Sequence, residues 1–124
     1  MPITKYRTEY AKIEPYITKD GSIIRELMHP SSHENMNQSL AEAIIPAEQG
    51  THLHKHEVAE EIYYIIEGAG MMTLASEEFK VKEGDAIVIS PGTPHKIQNT
   101  GRLPLKILCC CAPAYSHNDT ELLE

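Results

Sequence analysis

Apolar and polar positions alternate along this chain in short runs, and the runs are broken by segments rich in Gly, Pro, Asn and Glu. A period of two belongs to β-strands with one face buried. The pattern predicts strands near Ser22 to Met28, Gln38 to Pro46, Thr51 to Glu57, Glu61 to Glu67, Gly70 to Ala75, Glu78 to Lys82, Ala86 to Ser90, His95 to Gln98 and Leu105 to Ala112. Between them, Gly68-Ala69-Gly70, Glu83-Gly84-Asp85, Ser90-Pro91-Gly92-Thr93-Pro94 and Asn99-Thr100-Gly101 supply the backbone angles that tight reversals need. Many short strands in one small chain predict an antiparallel sandwich or barrel with little helix. Met28 to Asn37 has no period and reads as a loop; Ser31 and Glu34 match a capping box there, but no helical apolar run follows. The first ~20 residues and the tail from Pro113 onward read as arms, docked on the body or exchanged with a partner.

The last predicted strand differs from the others. Leu105, Ile107, Cys109 and Cys111 would face one way and Leu108, Cys110 and Ala112 the other, so both faces are apolar and the outer one is expected to be covered by the termini or a second subunit.

A length of 124 residues allows one core, so residues 1–124 are expected to form one domain, with a barrel body near 38–112, an N-terminal arm over 1–21 and a C-terminal tail over 113–124. Eleven basic against 18 acidic residues leave a net charge of -7, which argues against nucleic acid and anionic membranes as partners. No apolar run approaches the roughly 20 residues of a membrane span, and no signal-peptide pattern opens the chain, so a cytoplasmic setting is expected. Cys109, Cys110 and Cys111 are adjacent and cannot build a disulfide framework; small apolar packing is their expected role.

Chemistry enters with His52-Leu53-His54-Lys55-His56, three imidazoles at every second residue, and with Glu61 at the start of the following strand. Histidines two apart on a strand share a face and can close on one metal ion. By the same alternation, Glu61, Tyr63 and Ile65 point together, and His95 follows the Pro91–Pro94 turn at the start of another strand. A mixed nitrogen and oxygen set suits iron, manganese, nickel, copper or zinc better than calcium or magnesium.

The spacing resembles that of the cupins, small β-barrel proteins with two short metal-binding motifs. His54-Lys55-His56, four residues, Glu61, six residues and Gly68 reproduce most of the first motif. Gly84, five residues, Ser90-Pro91-Gly92, two residues, His95, three residues and Asn99 reproduce the second. Glu48 stands where the first motif opens with glycine, and Ser90 replaces the second motif's first proline; both departures fall in turns. The resemblance implies an all-β, cupin-type double-stranded β-helix (jelly-roll) barrel in which His54, His56, Glu61 and His95 bind one divalent transition metal (Fe, Mn, Ni, Cu or Zn). It also implies a homodimer formed through the sheets. Tyr63 would stand one pleat from the metal, as a substrate contact or general acid or as a buried hydroxyl with a structural partner. Asn99 reads as a turn residue, and His52 as a pocket-wall or surface residue.

Such a site hosts several chemistries on a small polar substrate. A redox ion could bind substrate and dioxygen, as in the cupin dioxygenases. A Lewis-acid ion could serve an isomerase, decarboxylase or lyase. A non-catalytic module could hold or sense a small ligand. A sugar phosphate, as for the mannose-6-phosphate isomerase-like members, would want a cationic clamp, for which Arg25, Lys96 and Arg102 are the nearest candidates; Ala114, Tyr115, Ser116 and Asp119 are loosely similar to the tails of isomerase-type members.

Overall fold

The computed structural model describes residues 6–124. In chain order its strands are β1 (Tyr16–Ile17), β2 (Ile23–Met28), β3 (Ser39–Ile45), β4 (His54–His56), β5 (Glu60–Glu67) and β6 (Ala69–Leu74). They continue as β7 (Glu77–Lys82), β8 (Ala86–Ile89), β9 (His95–Asn99), β10 (Leu105–Ala112) and β11 (Thr120–Leu122). Two 3₁₀ turns, Tyr10–Lys12 and His117–Asp119, are the only helical segments among the described residues. The strands form two antiparallel sheets, ordered β1-β2-β3-β10-β5-β8 and β11-β4-β9-β6-β7, the double-stranded β-helix of a jelly roll.

Alternation explains which side chains fill the space between the sheets. On β5, Glu61, Tyr63 and Ile65 are buried while Ile62 and Tyr64 are exposed; on β10, Leu105, Ile107, Cys109 and Cys111 are buried in the same rhythm. Ile65, Met72, Ile97, Leu105 and Ile107 form a fully buried floor. Each such side chain removed from water contributes on the order of 1.5–3 kcal/mol. At the β5–β6 turn, Gly68 has φ +97 and a Cβ there would lie 3.0 Å from both Leu105 Cα and Pro104 O, so only glycine fits.

One expectation needs correcting. The strand expected over Thr51 to Glu57 is ordered only over His54–His56, because the Thr51 hydroxyl is taken up by the Ile97 amide and the His52 amide bonds to Asp20 O instead of a strand partner. The outer face of β10 is half-buried at Leu108 and Cys110 and exposed at Ala112 within this chain. Both arms dock on the body, one of the two expected alternatives: β1 pairs β2, β11 pairs β4, and Lys19 Nζ donates to the carbonyls of His117 and Thr120, so the two arms close on each other over their own barrel. The segment after β2 is a loop with turns, as its aperiodic sequence indicates.

Candidate metal centre

β4 and β9 put three imidazoles in one place. His54 is paired in register with His95, and His56 shares the His54 face of β4. The potential ligand atoms of His54, His56 and His95 all lie within 4.8 Å of one another. Glu61 comes from the opposite sheet, on β5 beside Cys111 of β10, and its Oε1 is 3.3 Å from His56 Nε2 and 3.5 Å from His95 Nε2. All four residues are buried.

Hydrogen bonds behind the rings decide which nitrogen faces inward. His54 Nδ1 lies 2.7 Å from His52 O and His95 Nδ1 lies 2.9 Å from Thr93 O; carbonyls only accept, so both Nδ1 atoms carry the proton. His56 Nδ1 lies 3.0 Å from Thr120 Oγ1, whose own proton goes to Ser116 O at 2.9 Å, so this Nδ1 donates as well. Neutral rings held in this way turn the Nε2 lone pairs of His56 and His95 toward Glu61 and leave that of His54 facing Asp20. His95 Nε2 and Glu61 Oε1 are buried without any hydrogen-bond partner. Converging acceptors with no donor among them call for a cation, because an unsatisfied buried acceptor costs on the order of 1–3 kcal/mol. The spacing of the three histidines, with Glu61 beside two of them, is close to what one ion needs: ligand atoms ~2.1 Å from an ion place neighbours about 3 Å apart and opposites about 4.2 Å apart.

Burial opposes ionisation of Glu61, but where a proton stands on His56 or His95 its hydrogen bond and charge outweigh burial and hold the Glu61 pKa down at about 2. Burial likewise works against a charged His56, yet hydrogen bonding and charge from Glu61 prevail and raise its pKa; burial and the neighbouring His95 lower that of His54. A proton on His56 is therefore the natural competitor of a metal ion at this place.

Residues 41–111 match the family model described as "Cupin domain". The chain belongs to the cupins. An uncharacterized protein of Methanocaldococcus jannaschii is 65% identical over 95% of this chain and 94% of its own length. The oxalate-binding protein of Thermotoga maritima is 35% identical over 67% of this chain and 71% of its own length. Among solved structures, a predicted oxalate decarboxylase from Thermotoga maritima superposes with a TM-score of 0.74 at 26% identity, covering 91% of this chain and 99% of that one.

Within this cupin, the residues singled out from sequence separate clearly. Tyr63 lines the cavity and meets the His95 ring edge-on at 6.1 Å; its hydroxyl makes no hydrogen bond among the described residues, and burial pushes its pKa well up. His52 is exposed and does not line the cavity, so its parity with His54 does not bring it to the cluster. Asn99 closes the turn after β9, donating to Ile45 O and Leu103 O and accepting from the Gly101 amide. Arg25 pairs with Glu42 on the outer face, Lys96 pairs with Glu124 and Arg102 is exposed; no Lys or Arg lines the cavity among the described residues.

Several cavity residues were beyond sequence reasoning. The cavity, about 610 Å³ of atom-free space with its mouth included, is walled by Asp20, Glu26, Ser39, Tyr115 and Thr120 as well as by His54, His56 and Glu61. Thr120 fixes the His56 ring, and Asp119 accepts from the amides of Val58 and Ala59 in the loop that joins His56 to Glu61. Cys111 Sγ donates to Glu61 Oε2 at 3.2 Å, a sharper role than the packing expected of it. Glu26 Oε1 is buried without a partner, and burial raises its pKa against the opposing pull of His29 and Tyr16. Glu26 lies on the strand expected over Ser22 to Met28, where alternation puts it on the face of Ile24, while the arms that carry Asp20 and Thr120 have no period and no motif.

Proposed function

We propose that this cupin is a metal-dependent enzyme acting on a small carboxylate of the oxalate class, with His54, His56, Glu61 and His95 holding one divalent transition ion. The observation that carries this reading is the set of lone pairs converging on one another, His95 Nε2 and Glu61 Oε1 being buried and unpartnered. The ion would supply Lewis-acid stabilisation of negative charge on substrate oxygen. An anionic substrate could not enter this acidic, cation-free cavity without it, which ties binding to metal loading.

The remaining steps fall to the chain's own residues. Thr120, Thr93 and His52, through the hydroxyl and the two carbonyls, hold the rings with Nε2 inward. Tyr63 and Glu26 offer the cavity two groups whose pKa burial raises, because it disfavours their charged forms; in its protonated form each can donate a hydrogen bond or a proton to a carboxylate at the substrate's free end. The floor of Ile97, Ile107 and Ile45 excludes water. The absence of a lining Lys or Arg among the described residues weighs against a sugar-phosphate substrate. The similarity to an oxalate-binding protein favours a second reading, in which the same site binds a small carboxylate without turnover. Ile62, Tyr64 and Val88, 45%, 45% and 57% exposed on the outer face of β5 and β8, form with Leu108 the apolar surface through which a homodimer would assemble.

One experiment separates the readings. The protein is purified anaerobically, loaded with Mn(II), Fe(II) or Co(II), and given oxalate while heat of binding, oxygen consumption and carbon dioxide release are followed. Carbon dioxide without oxygen demand supports Lewis-acid chemistry, oxygen uptake selects the dioxygenase alternative, and metal-dependent heat with no product selects the binder. Absence of metal retention overturns the site.

A further inference from the structure

A second carboxylate reaches the imidazole cluster from the side opposite to the cupin motifs. Asp20, in the arm between β1 and β2, places Oδ2 3.5 Å from His54 Nε2, and both side chains are largely buried. Because His54 Nδ1 donates to His52 O, the neutral ring has no proton on Nε2 to give Asp20. A carboxylate oxygen and a nitrogen lone pair thus face each other across a desolvated gap, the same arrangement that Glu61 makes with His56 and His95. Glu61 brackets the trio at His56 and His95; Asp20 brackets it at His54.

Asp20 does not stand there by drift. Its Oδ1 accepts from the Ser22 amide at 2.9 Å and from Ser22 Oγ at 2.6 Å, which leaves Oδ2 free to face the cluster. Its backbone oxygen accepts from the His52 amide at 2.8 Å, and the flanking Thr18 hydroxyl bonds to Tyr115 OH at 3.0 Å. A carboxylate would not otherwise be anchored on one oxygen with its charge turned toward a lone pair.

We infer that Asp20 is a fifth protein ligand of the metal centre, binding through Oδ2 and fastening the N-terminal arm to the ion. This rests on the proposed four-residue site and extends it. Five ligands leave a six-coordinate ion one open position instead of two. A dicarboxylate that chelates through two oxygens then has to displace Asp20, so the residue strengthens metal binding and weakens substrate binding. A carboxylate serving only to hold the arm would do neither.

The test uses the metal-stripped full chain as wild type, Asp20→Asn and Asp20→Ala. Asp20→Asn keeps an oxygen for Ser22 and the side chain's shape, so it isolates the charge and the ligand atom. Co(II) affinity is measured by competition with a chelator, the coordination number is read from the visible absorption of bound Co(II), and oxalate affinity is measured on the Co(II)-loaded forms. Both variants are expected to bind Co(II) roughly tenfold or more weakly, to change the absorption intensity, and to bind oxalate more tightly. If Asp20→Asn matches wild type in Co(II) affinity and spectrum, Asp20 is not a ligand although the four-residue site stands. If wild type itself takes up no Co(II), the four-residue site fails, and the fifth ligand with it.

Discussion

The two ends of the barrel interior are built from the same strands and could hardly differ more. On β5 the inward side chains run Glu61, Tyr63, Ile65; on β9 they run His95, Ile97, Asn99. Within one or two pleats, the cavity passes from buried charge and orphaned acceptors to a floor of Ile65, Met72, Ile97, Leu105 and Ile107. The floor is stabilised by packing and the mouth is not: its acceptors repel one another until a cation or proton stands between them. A close-packed floor resists deformation, so the rings and carboxylate above it keep their spacing even when that spacing is unfavourable. Stability and chemistry are thereby placed on successive residues of single strands.

That division has measurable consequences at both ends. Replacing His95 or Glu61 with Ala should lower metal affinity by more than about a hundredfold, while the metal-stripped variants melt no lower than metal-stripped wild type. Metal analysis after dialysis, paired with thermal unfolding, checks both halves; a variant that loses the fold along with the metal would erase the distinction between mouth and floor. Ile65→Ala should do the reverse, costing about 2–5 kcal/mol in denaturant unfolding while the folded fraction still takes up one equivalent of metal.

Two smaller effects sharpen the contrast. Glu26 lies at the mouth with its folded pKa raised, chiefly by burial, above the unfolded value. Its contribution to stability is therefore fully present below the unfolded pKa and is lost as pH rises through the folded one. Glu26→Gln should accordingly melt higher than wild type at pH 8, with the gap closing toward pH 4; equal melting temperatures at both would mean that Glu26 is solvated. Toward the floor, Glu48 holds φ 66, the left-handed conformation, at the position where the first cupin motif has glycine. Glu48→Gly should raise stability by up to about 1 kcal/mol without altering metal affinity, read from chemical unfolding and Co(II) titration.

How much of this was legible in the chain differs by element. The inward order Glu61, Tyr63, Ile65 follows from alternation alone, and the meeting of His54, His56 and His95 follows from two motif spacings. His52 shows where that logic stops. Its parity is that of His54, but the backbone leaves strand geometry before it, bonding to Asp20 O, and the ring turns to solvent. Arg25 and Lys96 are turned away by their partners Glu42 and Glu124, and Arg102 is exposed: a residue type names a possible charge, and the fold decides where that charge goes.

Period and spacing are local properties of a sequence, and they were enough for the barrel, its strand faces and the meeting of three histidines with Glu61 beside two of them. Asp20, Glu26, Thr120 and Asp119 lie outside the cupin motifs, in or beside arms with neither period nor motif. Their places depend on where the arms fold back, and that is settled by contacts between residues about a hundred positions apart, such as Thr18 with Tyr115 and Lys19 with Thr120. No local pattern encodes such a meeting, because its free energy resides in the closed barrel that both arms must find before either can be held.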